Sequence, residues 1–209
     1  MPKGVLGQAL RDITGLLSDL FAKLSGEDGT EWLEALKKFL RKEETWVLLE
    51  HVKTVDIPRL AAFDVATHFR VTPESERRTT EVFIDSISSF AQSLIRGHNS
   101  PEPRIAKTTM HAYKMLRRSE DGPIISKLGQ KASTWSMIYE LLRRQGHGQD
   151  GDLLTNGMQN LFYVLDVQGH LWSVGCAWGV NDPHGWSIEA YLVARHQIIW
   201  SRDHQVISC

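Results

Sequence analysis

The sequence predicts an α+β protein, with N-terminal amphipathic helices and a C-terminal antiparallel β meander packed by a helix. In residues 5–24 five leucines and Ile13 recur at steps of three and four, which is the spacing of one helix face. Residues 160–194 instead form three segments rich in β-forming residues, joined by glycine-containing turns. Strands joined in succession by short turns are typical of an antiparallel meander.

Length and composition are those of a globular protein without a strong charge bias. The chain has 209 residues, 42% of them hydrophobic and 23% charged, and its formal net charge is −1. The lack of a basic excess argues against a nucleic-acid partner. Cys176 and Cys209 form neither a disulfide framework nor a Cys-x-x-Cys pair, which favours reduced thiols and a cytoplasmic location. No run reaches the roughly 20 apolar residues that cross a bilayer, so no membrane partner is expected.

The N-terminal region, residues 1–44, is predicted to be a helical pair. Its first helix covers residues 5–24, and the turn cluster at 25–30 separates it from a second helix over 31–44. Acidic residues come early in the second helix and basic residues late, which matches the helix dipole.

The middle region, residues 45–103, is predicted to mix strands and a helix. It ends in a linker in which two nearby prolines exclude both helix and central strand. Its predicted elements are strands over 45–55, 68–72 and 80–87 and a short helix capped by Ser88 or Ser89.

The C-terminal region, residues 104–209, is predicted to hold the sheet and its covering helix. Residues 105–118 are compatible with either strand or helix, and the alternation of their side chains favours a strand. The elements predicted after them are helices over 121–129 and 133–145, strands over 161–166, 171–178 and 186–193, and a terminal edge strand over 205–209.

Four blocks of the chain are similar to a known group of proteins. They begin with LSGEDGTEWLEALKKFLRKE at residues 24–43 and DGPIISKLG at 121–129. The set is completed by LLTNG at 153–157 with NLFYVLD at 160–166 and GHLW at 169–172, and by QVIS at 205–208. In this order they resemble uncharacterised proteins of candidate-phyla bacteria. The resemblance implies a shared fold and a shared role, but it brings no catalytic residue, because the group has no assigned activity.

The histidines do not form a motif for a metal or cofactor. None of the nine lies in a His-x-His spacing or a His-x-x-x-His spacing on a helix, so no metal site and no cofactor are expected. Turn histidines and a strand carboxylate are suited to general acid–base work in a small hydrolase or nuclease. The alternative is that these groups simply face solvent. The candidate catalytic residues are His170, His184, Glu189 and His204.

Aromatic residues concentrate in the predicted sheet and supply the candidate binding residues. Trp172 and Trp178 share one strand face by parity, and Trp186 and Tyr191 lie on the next strand. Such rings either pack beneath helices or form a recognition surface. The preferred function is a non-catalytic interaction module whose aromatic sheet face or N-terminal amphipathic helix binds another protein or a copy of itself. The alternative is the hydrolase or nuclease.

Overall fold

The chain forms two compact units, one within residues 1–47 and one spanning residues 48–209. The computed structural model describes residues 3–40, 47–129, 132–180 and 185–209, with side chains from residue 14 onward. The predicted boundary after residue 44 falls close to the boundary between the units. The predicted boundary at 103 is corrected, because strands on either side of it pair with each other in the second unit.

Two helices belong to the first unit, and the other described helices belong to the second. They are α1 (Lys3–Leu24), α2 (Gly29–Leu40), α3 (Val65–His68), α4 (Ser89–Gly97), α5 (Asp121–Leu128) and α6 (Trp135–Arg144). Side-chain oxygens of Ser88 and Thr134 cap α4 and α6 by accepting from first-turn N–H groups. Residues 41–44, predicted to extend α2, lie outside the described part of the chain.

The predicted strand over residues 68–72 is wrong. Asp64 caps a short helix there instead, since its side chain accepts from the Thr67 N–H at 3.0 Å. That hydrogen bond starts α3, which ends at His68, and the residues after it join no strand.

The strands of the second unit form a seven-stranded mixed sheet and a separate two-stranded ribbon. They are β1 (Leu49–Ile57), β2 (Ile84–Ile87), β3 (Thr108–Met115), β4 (Ser119–Glu120), β5 (Asn160–Leu165), β6 (Leu171–Trp178), β7 (Trp186–Leu192), β8 (Ile199–Trp200) and β9 (Gln205–Ser208). The sheet order is β1-β3-β9-β5-β6-β7-β2, and β4 pairs with β8. The α+β class is as predicted, and β3 confirms the strand expected within residues 105–118.

The arrangement of the sheet differs from a simple meander. β5, β6 and β7 are antiparallel neighbours, but β9 is a central strand and not the predicted edge strand. β9 pairs antiparallel with β3 and parallel with β5, and all four of its residues are buried. β2 likewise adds parallel to β7. These parallel neighbours are brought together by long connections, which short turn motifs do not reveal.

The two faces of the sheet carry separate hydrophobic clusters. The larger contains Phe162, Trp186 and Ile188 together with Ile138 and Leu141 of α6. The most buried members of the smaller cluster are Met115, Ile124, Leu161 and Val206. Because side chains alternate along a strand, each central strand contributes to both clusters.

Three buried amide side chains hold the segment between α6 and β5 in place. Gln145 bonds both the N–H and the carbonyl of Leu153, at 2.7 and 3.1 Å. Asn160 bonds both backbone groups of Leu154, and the Gln205 amide donates to the Asp152 carbonyl at 2.8 Å. Backbone groups that would otherwise be buried without partners are thereby satisfied.

Asp121 joins α5 to the sheet through a buried carboxylate. It is 4% exposed, and it accepts hydrogen bonds from the Tyr163 hydroxyl at 2.8 Å and the Trp200 indole N–H at 2.7 Å. The Ser173 hydroxyl donates to its second oxygen at 3.3 Å. Burial raises the pKa of Asp121 above its ordinary value of 3.8, although the hydrogen bonds oppose this effect.

We expect Asp121→Ala to destabilise the protein far more than Asp121→Asn. Alanine leaves the Tyr163 and Trp200 donors without an acceptor and should lower the free energy of unfolding by about 3 kcal/mol or more. Asparagine keeps an oxygen and should lower it by less than about 1 kcal/mol. Chemical denaturation at pH 7 measures both. Equal losses in the two variants would contradict the assignment of Asp121 as a shared acceptor.

The raised pKa of Asp121 also predicts how the stabilities of wild type and Asp121→Asn differ with pH. The folded chain holds the Asp121 proton more tightly than the unfolded chain, so this group stabilises the fold most below pH 3.8. Wild type should therefore lose stability relative to Asp121→Asn as the pH rises above 3.8.

Candidate functional site

The candidate catalytic residues do not share one cleft in the described part of the chain. His170 lies in the β5–β6 turn, beyond the Leu165 end of β5, whereas His204 precedes β9 at the Asn160 end. Glu189 lies on β7, two strands away from β5. His184 falls outside the described residues.

The β5–β6 turn is organised by Asp166. Its carboxylate accepts from the backbone N–H groups of Gln168 at 2.9 Å and His170 at 2.8 Å, and from the Trp172 indole N–H at 3.1 Å. The His170 ring lies 3.1 Å from the same carboxylate and is exposed. Burial alone raises the pKa of Asp166, but these hydrogen bonds outweigh it and lower the pKa to about 2. The turn thus uses His170 and Trp172 to stabilise a hairpin.

Of the three indoles predicted for the sheet face, Trp186 belongs to the core, which corrects the surface interpretation for that residue. Trp186 is fully buried, and its indole N–H donates to the Gln145 carbonyl at 3.1 Å. Trp178 packs edge-on against Trp186 at 5.5 Å between ring centroids, and both Trp178 and Trp172 are partly buried against the larger cluster.

Tyr191 lies on the opposite face of the sheet from these indoles. It packs against the smaller cluster, with its ring 6.2 Å from that of Trp200, and its hydroxyl donates to Glu189 at 3.3 Å. Since Trp186 and Tyr191 are an odd number of residues apart on one strand, they point to opposite faces. The four predicted binding residues therefore do not form one surface.

A cleft of about 390 Å³ lies beside His204. The Lys114 ammonium is 2.9 Å from the Asp203 carboxylate at its edge, and Val52 and Met158 are among its apolar lining residues. Asp203 has φ 69°, in the left-handed region that aspartate tolerates better than most residues. Burial lowers the pKa of His204 below its ordinary 6.5, which favours a neutral imidazole at pH 7.

The cleft combines an imidazole, a lysine–aspartate ion pair and apolar side chains. Lys114 and Asp203 were missed by sequence reasoning because they meet only through the pairing of β3 with β9.

The N-terminal unit presents large apolar side chains to solvent. Trp32 and Leu36 of α2 and Leu20 and Leu24 of α1 are partly buried, and Lys23 lies 4.4 Å from the centre of the Trp32 ring. Others on the same helices are exposed, up to 70% for Leu16 and 71% for Leu40. We call this exposed set the helical-pair surface; it consists of Leu16, Leu17, Phe21, Leu33, Phe39 and Leu40.

Comparison with protein families, curated proteins and solved structures finds no match to this chain. The resemblance to the candidate-phyla group stays a prediction. Among the described residues, no group of three or more His, Cys, Asp or Glu side chains is placed to hold a metal ion. Of the helices that the structure describes, none has the length and apolar character to cross a membrane.

We expect Trp172→Phe to raise the pKa of Asp166 from about 2 toward 3.8, because phenylalanine keeps a ring but removes the indole N–H. Loss of that hydrogen bond should also lower the free energy of unfolding at pH 7 by about 1 kcal/mol. Asp166 stabilises the fold above pH 3.8, and this contribution disappears as the pH falls toward 2.

An NMR titration of the Asp166 carboxyl carbon measures the shift. Trp178→Phe is the matched control, since Trp178 lies on the same strand and face but is not among the donors to Asp166. If Trp172→Phe leaves the Asp166 pKa unchanged, the indole N–H is not the cause of the low pKa.

Proposed function

We propose that this chain is a non-catalytic cytoplasmic interaction module that binds a second copy of itself through the helical-pair surface. The observation that carries the proposal is the exposure of six large apolar side chains on α1 and α2, two helices joined by a short loop. A contiguous apolar patch on a protein surface is typical of an interaction site.

On each helix, two of these side chains lie in line along the helix axis. Leu17 and Phe21 are four residues apart on α1, and Leu33 and Leu40 are seven residues apart on α2. Residues at these spacings lie on one side of a helix. Each helix therefore offers a stripe that a partner helix can pack against. Sequence analysis predicted two possible surfaces, the aromatic sheet face and the N-terminal helices, and the burial of the indoles favours the helices.

The size of the surface suits a stable dimer. From the exposed fractions of its six members, the surface amounts to on the order of 700 Å², close to the roughly 800 Å² that each partner contributes to a standard interface. An area of this size is within the range of specific interfaces, whose affinity then depends on packing and preorganisation.

The charges beside the surface are compatible with an identical partner. Lys23 pairs with Asp19 at 3.3 Å, and Lys37 pairs with Glu34 at 2.6 Å, so each helix carries both signs together. Ion pairs of this kind beside the surface do not select a partner that is strongly acidic or strongly basic. In a twofold dimer the same patch meets itself, which mixed charges of this kind tolerate.

Two further features support the cytoplasmic and non-catalytic parts of the proposal. Cys176 and Cys209 are free thiols, as expected in a reducing compartment. The hydrolase or nuclease alternative would be favoured by a cleft that gathers several candidate residues. His170, Glu189 and His204 lie apart, so that support is missing for these three.

Self-association is tested with two double variants of the full chain. Leu17→Glu with Phe21→Glu places charges within the surface, whereas Ser18→Glu with Ala22→Glu adds the same charges at the same spacing on exposed positions outside it. Sedimentation velocity from about 1 to 100 µM covers the usual range of such affinities. We expect wild type and the control to dimerise as concentration rises, and the Leu17/Phe21 variant to remain monomeric.

Two results would overturn the proposal. One is a wild-type chain that stays monomeric over the whole concentration range. The other is equal dimerisation of both double variants, with circular dichroism showing that each keeps its helices.

A further inference from the structure

Two histidines from neighbouring strands direct ring nitrogens at one hydroxyl group. The Thr54 hydroxyl oxygen lies 3.3 Å from Nε2 of His51 and 3.4 Å from Nδ1 of His111. The ring centroids of the two histidines are 5.5 Å apart. His51 and Thr54 are exposed and His111 is half-buried, so solvent reaches the point where the nitrogens converge.

A β-bulge creates this convergence. In the β1–β3 ladder His51 is opposite Tyr113 and Thr54 is opposite His111, with a register shift between His51 and Lys53. Residues three apart on a regular strand point to opposite faces, but one extra residue reverses the parity after it. The bulge therefore places His51 on the same face as Thr54 and His111.

The neighbouring tyrosine restricts the two rings. The Tyr113 ring packs edge-on against His51 at 5.4 Å and at a tilt against His111 at 6.4 Å. Rings held in this way need little rearrangement to bind a ligand between them, which favours affinity.

We propose that His51 and His111 form a two-histidine binding site for a divalent transition-metal ion of the Ni²⁺, Cu²⁺ and Zn²⁺ group. Imidazole nitrogen is a preferred ligand of these ions, and both ring nitrogens point to one place, 3.3 and 3.4 Å from the Thr54 hydroxyl oxygen. The Thr54 oxygen and water would complete the coordination. Because only two protein nitrogens bind, the ion is exchangeable, and the fold does not depend on it.

This site is independent of the proposed self-association. It lies on β1 and β3 of the second unit, whereas the helical-pair surface belongs to the first unit. The two proposals are therefore tested by different variants.

The experiment is isothermal titration of the untagged full chain with Ni²⁺ at pH 7.5. We expect one ion per chain. Metal affinity should fall at least about tenfold in His51→Ala and in His111→Ala, because even the loss of a residue that only hydrogen-bonds to a metal ligand lowers affinity by that factor. His170→Ala is the matched control, because His170 is also an exposed histidine but lies in the β5–β6 turn. It should bind Ni²⁺ as wild type does.

NMR on the same samples localises the ion. Paramagnetic Ni²⁺ should broaden the imidazole signals of His51 and His111 before those of His170. The proposal is overturned if wild type takes up no Ni²⁺, or if the two alanine variants bind it as tightly as the His170→Ala control. Unchanged thermal unfolding of the variants without metal excludes loss of the fold as the cause.

Discussion

The pairing of β9 on both of its sides holds the large sheet together. On one side of it lie β1 and β3, and on the other lie β5, β6, β7 and β2. Without β9 the backbone ladders of these two groups would have no direct connection. Val206 and Ile207 are each almost fully buried, and they contribute to the smaller and the larger cluster respectively. The strand therefore couples the two hydrophobic clusters as well as the two parts of the sheet.

Polar contacts add specificity to this apolar framework. Gln145, Asn160 and Gln205 satisfy backbone groups between α6 and β5, and Asp121 collects donors from three strands. A buried amide or carboxylate stabilises one arrangement of its donors and acceptors and penalises the others, because an unpaired polar group in the interior is costly. The same principle explains the indoles, since Trp172 and Trp186 each place an N–H on a defined acceptor.

Sequence patterns predicted elements better than they predicted how the elements meet. β6 spans the predicted residues because its alternation is bounded by turns, and Thr134 caps α6 because a hydroxyl there can accept from the first helical turn. The central position of β9 could not be predicted, since its neighbours lie far away along the chain. The opposite orientations of Trp186 and Tyr191 could have been predicted from their odd separation. The meeting of His51 with His111 could not, because a bulge changes the parity on which such reasoning depends.

The bulge in β1 also protects an open side of the sheet. β1 has β3 on one side and, among the strands that the structure describes, no neighbour on the other. Its outer N–H and carbonyl groups therefore resemble a template for fibril growth. A strand from another molecule could extend the sheet only if β1 offered a regular row of hydrogen-bonding groups. The bulge after His51 interrupts that row. The ionic side chains of Glu50 and Lys53 flank that point and oppose stacking of flat ribbons. Open-ended polymerisation along this border is thereby disfavoured.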